Sequence, residues 1–256
     1  MKKIYAVFIS GLSVLAFSSC EGFLDKFPET SLSPETFYTS EKELELATNG
    51  FYTMLPSPDN TTDGALQDND LEYHISLSSL QMGNRSAENE SWSSSTWSNL
   101  RALNYYLEHS VNCTSEDIRK KYDGVAYFFR AMFYYEKVRK YGDIPWYDHV
   151  ISANDKASLY RARDSRGFVM QKIMEDLDKA IDGLPVTWTE GVYRINKYAA
   201  YAFKSRVALF EGTWRKYHDV PDETYTKDDG TQLTLPSEYF LRQSADAAKA
   251  VIEYEK

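Results

Sequence analysis

The chain has 256 residues, with 29 Lys and Arg against 38 Asp and Glu and a formal net charge of −9. So acidic a chain gains nothing from a phosphate backbone, which argues against nucleic-acid binding. The length suffices for one large hydrophobic core or two small ones, and two cysteines provide no disulfide framework to stand in for a core.

The first nineteen residues read as a targeting segment. Lys2 and Lys3 supply a positive start, and Ile4 to Phe17 form an apolar run of 14 residues, too short to span a bilayer comfortably. Ser18 and Ser19 then precede Cys20, the arrangement of a bacterial lipobox, which makes Cys20 a lipidated N-terminus after cleavage. Two or more acyl chains, at about 0.8 kcal/mol per buried CH2, anchor a protein without a membrane-spanning helix. Removing residues 1–19 leaves 27 basic and 38 acidic side chains. Residues 20–36, which include Pro28 and Pro34, read as an extended tether.

Helix signals follow. Ser40 and Glu43 form a capping box ahead of the stripe Leu44, Ala47, Phe51, Met54 and Leu55. Between Pro56 and Ser95 the periodicity is lost in a stretch rich in Ser, Asn, Asp and Gly, which predicts a long loop or subdomain. A second helix is predicted over Trp97 to Glu108, with Trp97, Leu100, Leu103, Tyr106 and Leu107 at helical spacing. The third, about Ser115 to Tyr141, is apolar on nearly every side and therefore buried between neighbours. Gly142 and Pro145 stop it. Arg130 interrupts this apolar run and needs a buried partner, with Asp123 or Asp143 as the expected one.

Three more helices follow. Phe168 to Leu184 carries Val169, Ile173, Leu177, Ala180 and Ile181, with Asp176, Asp178 and Asp182 read as its solvated face. Asn196 caps a helix striped by Ala199, Phe203, Val207 and Phe210. Ser237 caps the last, with Phe240, Ala247, Ala248, Val251 and Ile252 inward. No segment alternates with the period of a sheet over any length. The fold class is all-α: helix pairs of tetratricopeptide type, with small residues (Ala131, Ala180, Ala199, Ala202, Ala248) at close contacts.

Five blocks carry a family resemblance. "CEGFLDKFPETSLSPETFY" resembles the mature N-terminus of the SusD/RagB family of surface nutrient-binding lipoproteins. "YDGVAYFFRAMFYYEKVRKYGDIPW" is similar to that family's aromatic helix with an Arg-Ala pair ending in Gly-Asp-Ile-Pro. "RARDSRGFVMQKIMEDLDKAIDGLP", "RINKYAAYAFKSRVALFEGTW" and "YFLRQSADAAKAVIEYEK" resemble the next blocks in the family's order. The resemblance implies a SusD-like helical domain over residues 37–256, as the N-terminal portion of a longer protein. It also implies capture of an oligosaccharide and its delivery to a SusC-type TonB-dependent transporter of the outer membrane, with the lipid anchor holding the protein at the cell surface. A peptide- or protein-binding helical-repeat lipoprotein is the alternative, since some relatives of the family are associated with peptide uptake.

The chemistry-bearing residues point to binding rather than catalysis. His74, His109, His149 and His218 have no paired spacing, so neither a metal nor a cofactor is expected. Cys113 stands alone, and no nucleophile motif or P-loop occurs. Sugar recognition needs flat aromatic faces beside a few hydrogen-bonding side chains. Trp92, in the polar segment "NESWSSSTW" and demanded by no helical pattern, is the first candidate, with Asn89 beside it and Tyr73 as a further one. Trp146, Trp188 and Trp214 read as packing residues, and Trp97 as core.

Overall fold

The first helix starts where its capping residues predict. The backbone N–H groups of Thr39 and Ser40 donate to Glu43 Oε2 at 2.9 and 3.0 Å, so one carboxylate satisfies donors that a helix start leaves without partners. These hydrogen bonds hold the Glu43 carboxyl below its ordinary value. Helix α1 covers Glu41–Asn49 and tightens into a 3-10 turn over Gly50–Met54. The tightening leaves Leu44, Thr48 and Phe51 buried and turns Leu55 outward.

The computed structural model describes residues 37–56, 82–84, 86, 92, 94–189, 191, 193–227 and 229–254. All of these except Phe37 belong to one unit, Tyr38–Lys256. The targeting segment, Cys20 and the tether lie outside the described residues, as does most of the polar stretch after Pro56. The remaining helices are α2 (Ser94–His109), α3 (Glu116–Tyr141), the single turn α4 (Lys156–Leu159), α5 (Arg166–Gly183), α6 (Lys197–Tyr217) and α7 (Ser237–Tyr254). Ser165 and Asn196 cap α5 and α6, accepting the N–H groups of Phe168 and Ala199 at 3.2 and 2.9 Å.

Helix α3 is buried over most of its circumference from Tyr122 to Val138. Helices α1 and α2 lie against it, α5 packs along it, α6 along α5 and α7 along α6. The pairing of α3 with α5 is antiparallel. Gly124 meets Ala180 and Leu184, Arg130 meets Asp176, and Arg166 Nη1 donates to Val138 O near the far end. Two glycines permit the approach, since a Cβ on Gly183 would collide with Lys120 O. Helices α6 and α7 are also antiparallel, because Ser237 Oγ donates to Gly212 O at 2.7 Å, Ser205 faces Ser244, and Tyr198 meets Tyr254.

Four expectations are corrected. A hairpin of β1 (Glu223–Thr226) and β2 (Gln232–Leu235) sits between α6 and α7, with Glu223 opposite Leu235. Its strands are four residues each, too short for alternation to register. The inner face of α6 is Ala200, Lys204, Val207, Ala208, Glu211, Gly212 and Arg215, while Ala199 and Ala202 are exposed. A polar network causes the rotation. Glu211 accepts from Arg166 Nε at 2.9 Å and from Arg215 Nε at 2.8 Å, and Arg215 Nη2 reaches Glu223 of the hairpin at 2.9 Å.

On α7 the buried face is Phe240, Ser244 and Ala247, and Ile252 is exposed. On α5, Asp176 is buried rather than solvated, and it, not Asp123 or Asp143, is the partner of Arg130. Asp123 lies two turns earlier on the same helix, about 10 Å away along the axis. Asp143 is occupied elsewhere, accepting the Arg166 N–H at 2.8 Å.

Candidate functional site

The site begins at the end of α3. Gly142, at φ +71°, turns the chain through a conformation that a side chain would strain, and its N–H donates to Val138 O at 2.9 Å. The following segment is held from three sides. Trp146 N–H donates to Asp164 Oδ2 at 2.7 Å, and Arg161 bridges Asp164 Oδ1 (2.6 Å) and Trp146 O (3.1 Å). Tyr147 N–H donates to the Tyr134 hydroxyl at 2.6 Å, and that hydroxyl donates to Tyr147 O at 3.1 Å. Asn104 Nδ2 of α2 donates to Tyr147 O and His149 O, both at 3.0 Å.

Asn104 is itself fixed by the core. Its Oδ1 accepts from Arg130 Nη1 at 3.1 Å, while Arg130 Nε and Nη2 form a fork on Asp176 at 2.7 and 2.8 Å. Burial alone would push the guanidinium down, and the Asp176 carboxylate outweighs it, holding Arg130 above its ordinary value. A buried ion pair thus sets the wall of a surface cavity through one asparagine.

That cavity, of about 620 Å³ and open to solvent, is lined by Trp92, Trp97, Ser98, Leu100, Arg101, Asn104, Pro145, Tyr147, His149, Val150, Ile151, Leu159, Arg161 and Arg163. Trp92 is 39% exposed. Its ring meets Trp97 and Tyr141 edge-on, at centroid distances of 5.0 and 4.8 Å. The Arg163 guanidinium lies 5.4 Å from the Trp92 centroid and the Lys137 ammonium 6.0 Å. Burial holds Lys137 below its ordinary value, with Lys140 adding to the effect. Burial also pushes the nearby Asp148 carboxyl up, but His149 and Arg130 outweigh it and hold it below the ordinary range.

Flat rings beside guanidinium groups are a surface for stacking and hydrogen bonding. Among the described residues, no group of three or more His, Cys, Asp and Glu side chains could hold a metal. His109 and His218 each contact the carbonyl of the residue one turn back, at 2.7 and 2.8 Å.

Of the residues singled out from sequence, Trp92 lines the cavity; Asn89, Tyr73 and Cys20 lie outside the described residues. Trp97 is half-buried and divides its surface between core and cavity. Trp146 and Trp188 are buried, and Trp214 stacks on His218 with Arg166 4.0 Å from its centroid. Arg101, Asn104, Tyr147 and Arg163 escaped the sequence reading as site residues. The arginine-rich turn "RARDSR" was visible, but nothing local says that it faces α2.

A family model described as SusD-like, starch-binding associating with outer membrane, matches residues 22–209. The chain belongs to the SusD-like family. Among curated relatives, SusD-like protein P25 of Formosa agariphila is 25% identical over 238 residues, which are 83% of this chain and 44% of that protein. SusD-like protein P2 of the same organism is 26% identical over 235 residues, 84% of this chain and 45% of the relative. This SusD-like chain therefore spans less than half the length of the curated relatives it matches.

A crystal structure of a SusD-like protein from Bacteroides fragilis superposes with a TM-score of 0.61 at 26% identity, covering 74% of this chain and 39% of that one. A SusD-like carbohydrate-binding protein from the same species gives a TM-score of 0.63 at 17% identity, over 86% of this chain and 41% of its own. At that identity the likeness concerns the fold. The helical architecture is thus shared across SusD-like proteins of low sequence identity.

Proposed function

We propose that this SusD-like protein binds an oligosaccharide in the cavity that Trp92 and Trp97 wall. The observation that carries the reading is the half-exposed Trp92 ring lining a cavity that Arg101, Arg161 and Arg163 also line. An aromatic face covers the C–H surface of a pyranose, and fixed N–H donors take up its hydroxyls. Membership of a family described as starch-binding and associated with the outer membrane supports the same reading.

The fuller proposal adds an anchor and a partner. Residues 1–19 direct export and are removed, Cys20 is acylated, and residues 20–36 tether the helical domain of residues 37–256 to the outer face of the outer membrane. There the bound glycan is handed to a SusC-type TonB-dependent transporter. No helix among the described residues is long and apolar enough to cross a membrane.

Native affinity electrophoresis against a panel of neutral and acidic polysaccharides tests the binding step. Retardation by at least one glycan, reduced about tenfold or more in Trp92→Ala, is the expected result; that loss corresponds to about 1.4 kcal/mol. Retardation that is unchanged in Trp92→Ala would place the ligand elsewhere. Metabolic labelling with an alkynyl fatty acid tests the anchor: the wild type should incorporate label and Cys20→Ala should not.

A further inference from the structure

The charge of the cavity runs against the charge of the chain. The protein carries a net −9, yet among the described residues the cavity is lined by Arg101, Arg161 and Arg163 and by no carboxylate side chain. Arg161 is neutralised by Asp164 at 2.6 Å. The other two are not paired in that way. Arg101 Nη1 donates to Ile151 O at 2.9 Å, and Arg163 Nη1 donates to Asp143 O at 3.4 Å, both carbonyl oxygens. Neither guanidinium forms an ion pair among the described residues, and both are exposed.

A guanidinium has five N–H donors in a planar fork matched to a two-oxygen anion, so one carbonyl leaves most of that capacity unused. Among the described residues, the acids that contact the wall are directed elsewhere. Asp164 is held by Arg161 and the Trp146 N–H, Asp148 lies against His149, and Glu108 accepts the Val150 N–H at 2.6 Å.

Resting on the glycan reading above, we infer that the cavity selects an acidic saccharide, one bearing a carboxylate or a sulfate ester. The acid group sits between Arg101 and Arg163, and the sugar ring lies against Trp92. A neutral glycan would leave two unneutralised guanidinium groups beside the bound sugar, whereas an anion turns both into charge-assisted donors. Lys137, 6.0 Å from the Trp92 centroid, adds a further cation on the same side.

The test is native affinity electrophoresis of the purified chain in gels containing matched pairs: dextran sulfate against dextran, and polygalacturonate against its fully methyl-esterified form. The charged member of at least one pair should retard the protein about tenfold more strongly than its uncharged partner, and the preference should shrink as salt is raised. Preference within the first pair identifies sulfate as the group taken, and within the second, carboxylate. Arg101→Gln and Arg163→Gln should each weaken the charged interaction several-fold with melting temperatures unchanged, and Arg163→Lys should restore part of it.

Equal retardation by charged and uncharged partners, abolished by Trp92→Ala but untouched in both arginine variants, would overturn the inference and leave glycan binding standing. If neither the four polymers nor any member of the panel above retards the protein, both readings are overturned together.

Discussion

Removing the carboxylate of Asp176 isolates the buried guanidinium of Arg130. The two side chains are 5% and 2% exposed and meet through two hydrogen bonds of 2.7 and 2.8 Å. In Asp176→Ala, Arg130 keeps Asn104 Oδ1 at 3.1 Å and a long contact to Asp148 O at 3.4 Å, but loses its hydrogen-bonded counter-charge and retains only the longer-range pull of the exposed Asp148 carboxylate. Leaving one member of a buried pair uncompensated costs about 3–5 kcal/mol. For a domain of about 200 residues, each kcal/mol moves the melting temperature by about 2–4 °C, so a fall of about 6–20 °C is expected.

Replacing both members with apolar residues, as in Arg130→Met/Asp176→Leu, removes the desolvation cost along with the attraction. That variant should recover most of the loss, because apolar replacement of buried ion pairs is often neutral or stabilising. Melting followed by far-UV circular dichroism on the wild type, both single variants and the double completes the cycle. A single variant melting within about 2 °C of wild type would refute the reasoning, as would a double variant whose loss equals the sum of the two singles.

Asn104→Ala should cost about 1–3 kcal/mol by removing the acceptor of the buried Arg130 Nη1 and the donor to Tyr147 O and His149 O, and should weaken saccharide binding in affinity electrophoresis, since Asn104 holds Tyr147 and His149 in the cavity wall. Gly183→Ala should lower stability by about 1–3 kcal/mol in denaturant titrations, because its Cβ would press on Lys120 O and force α3 and α5 apart; an unchanged midpoint would mean that the helices are not so close. Burial pushes the Asp123 carboxyl up to about 6, against the opposing pull of Ser110, Arg119 and Tyr106. The folded chain therefore takes up this proton before the unfolded chain does, and the contribution of Asp123 to stability grows as pH falls from 7 through 6 toward 4. Its size is at most about 3 kcal/mol. The difference in melting temperature between Asp123→Asn and wild type should be largest above pH 6 and vanish near pH 4, and a flat difference would contradict the assignment.

Much of the helical scaffold was legible because its signals are local. A cap satisfies backbone donors within three residues of itself, and a glycine in the left-handed region stops a helix wherever it stands. Ser40 with Glu43, Asn196 and Gly142 all act within a turn of their own position. The buried character of α3 followed from apolar residues on nearly every side, which leaves a helix no face to give to water. The order of the five blocks pointed to the SusD-like family for the same reason, since each is a contiguous string.

What escaped was pairing at a distance. Hydrophobic periodicity treats Asp176 and Glu211 as outward positions, because in isolation a carboxylate belongs in water. Each is drawn inside by a guanidinium on another helix, Arg130 at a sequence separation of 46 and Arg166 at 45. The sequence by itself determined the long helices, with ends within a few residues, the family and Trp92 as an aromatic outside any stripe. Only the tertiary structure decided that Trp92, the start of α2, the loop after α3 and the arginine-rich turn before α5 converge on one cavity. Convergence of that kind depends on the angles at which packed helices cross, and those are set by side-chain contacts between segments that carry no mark of each other.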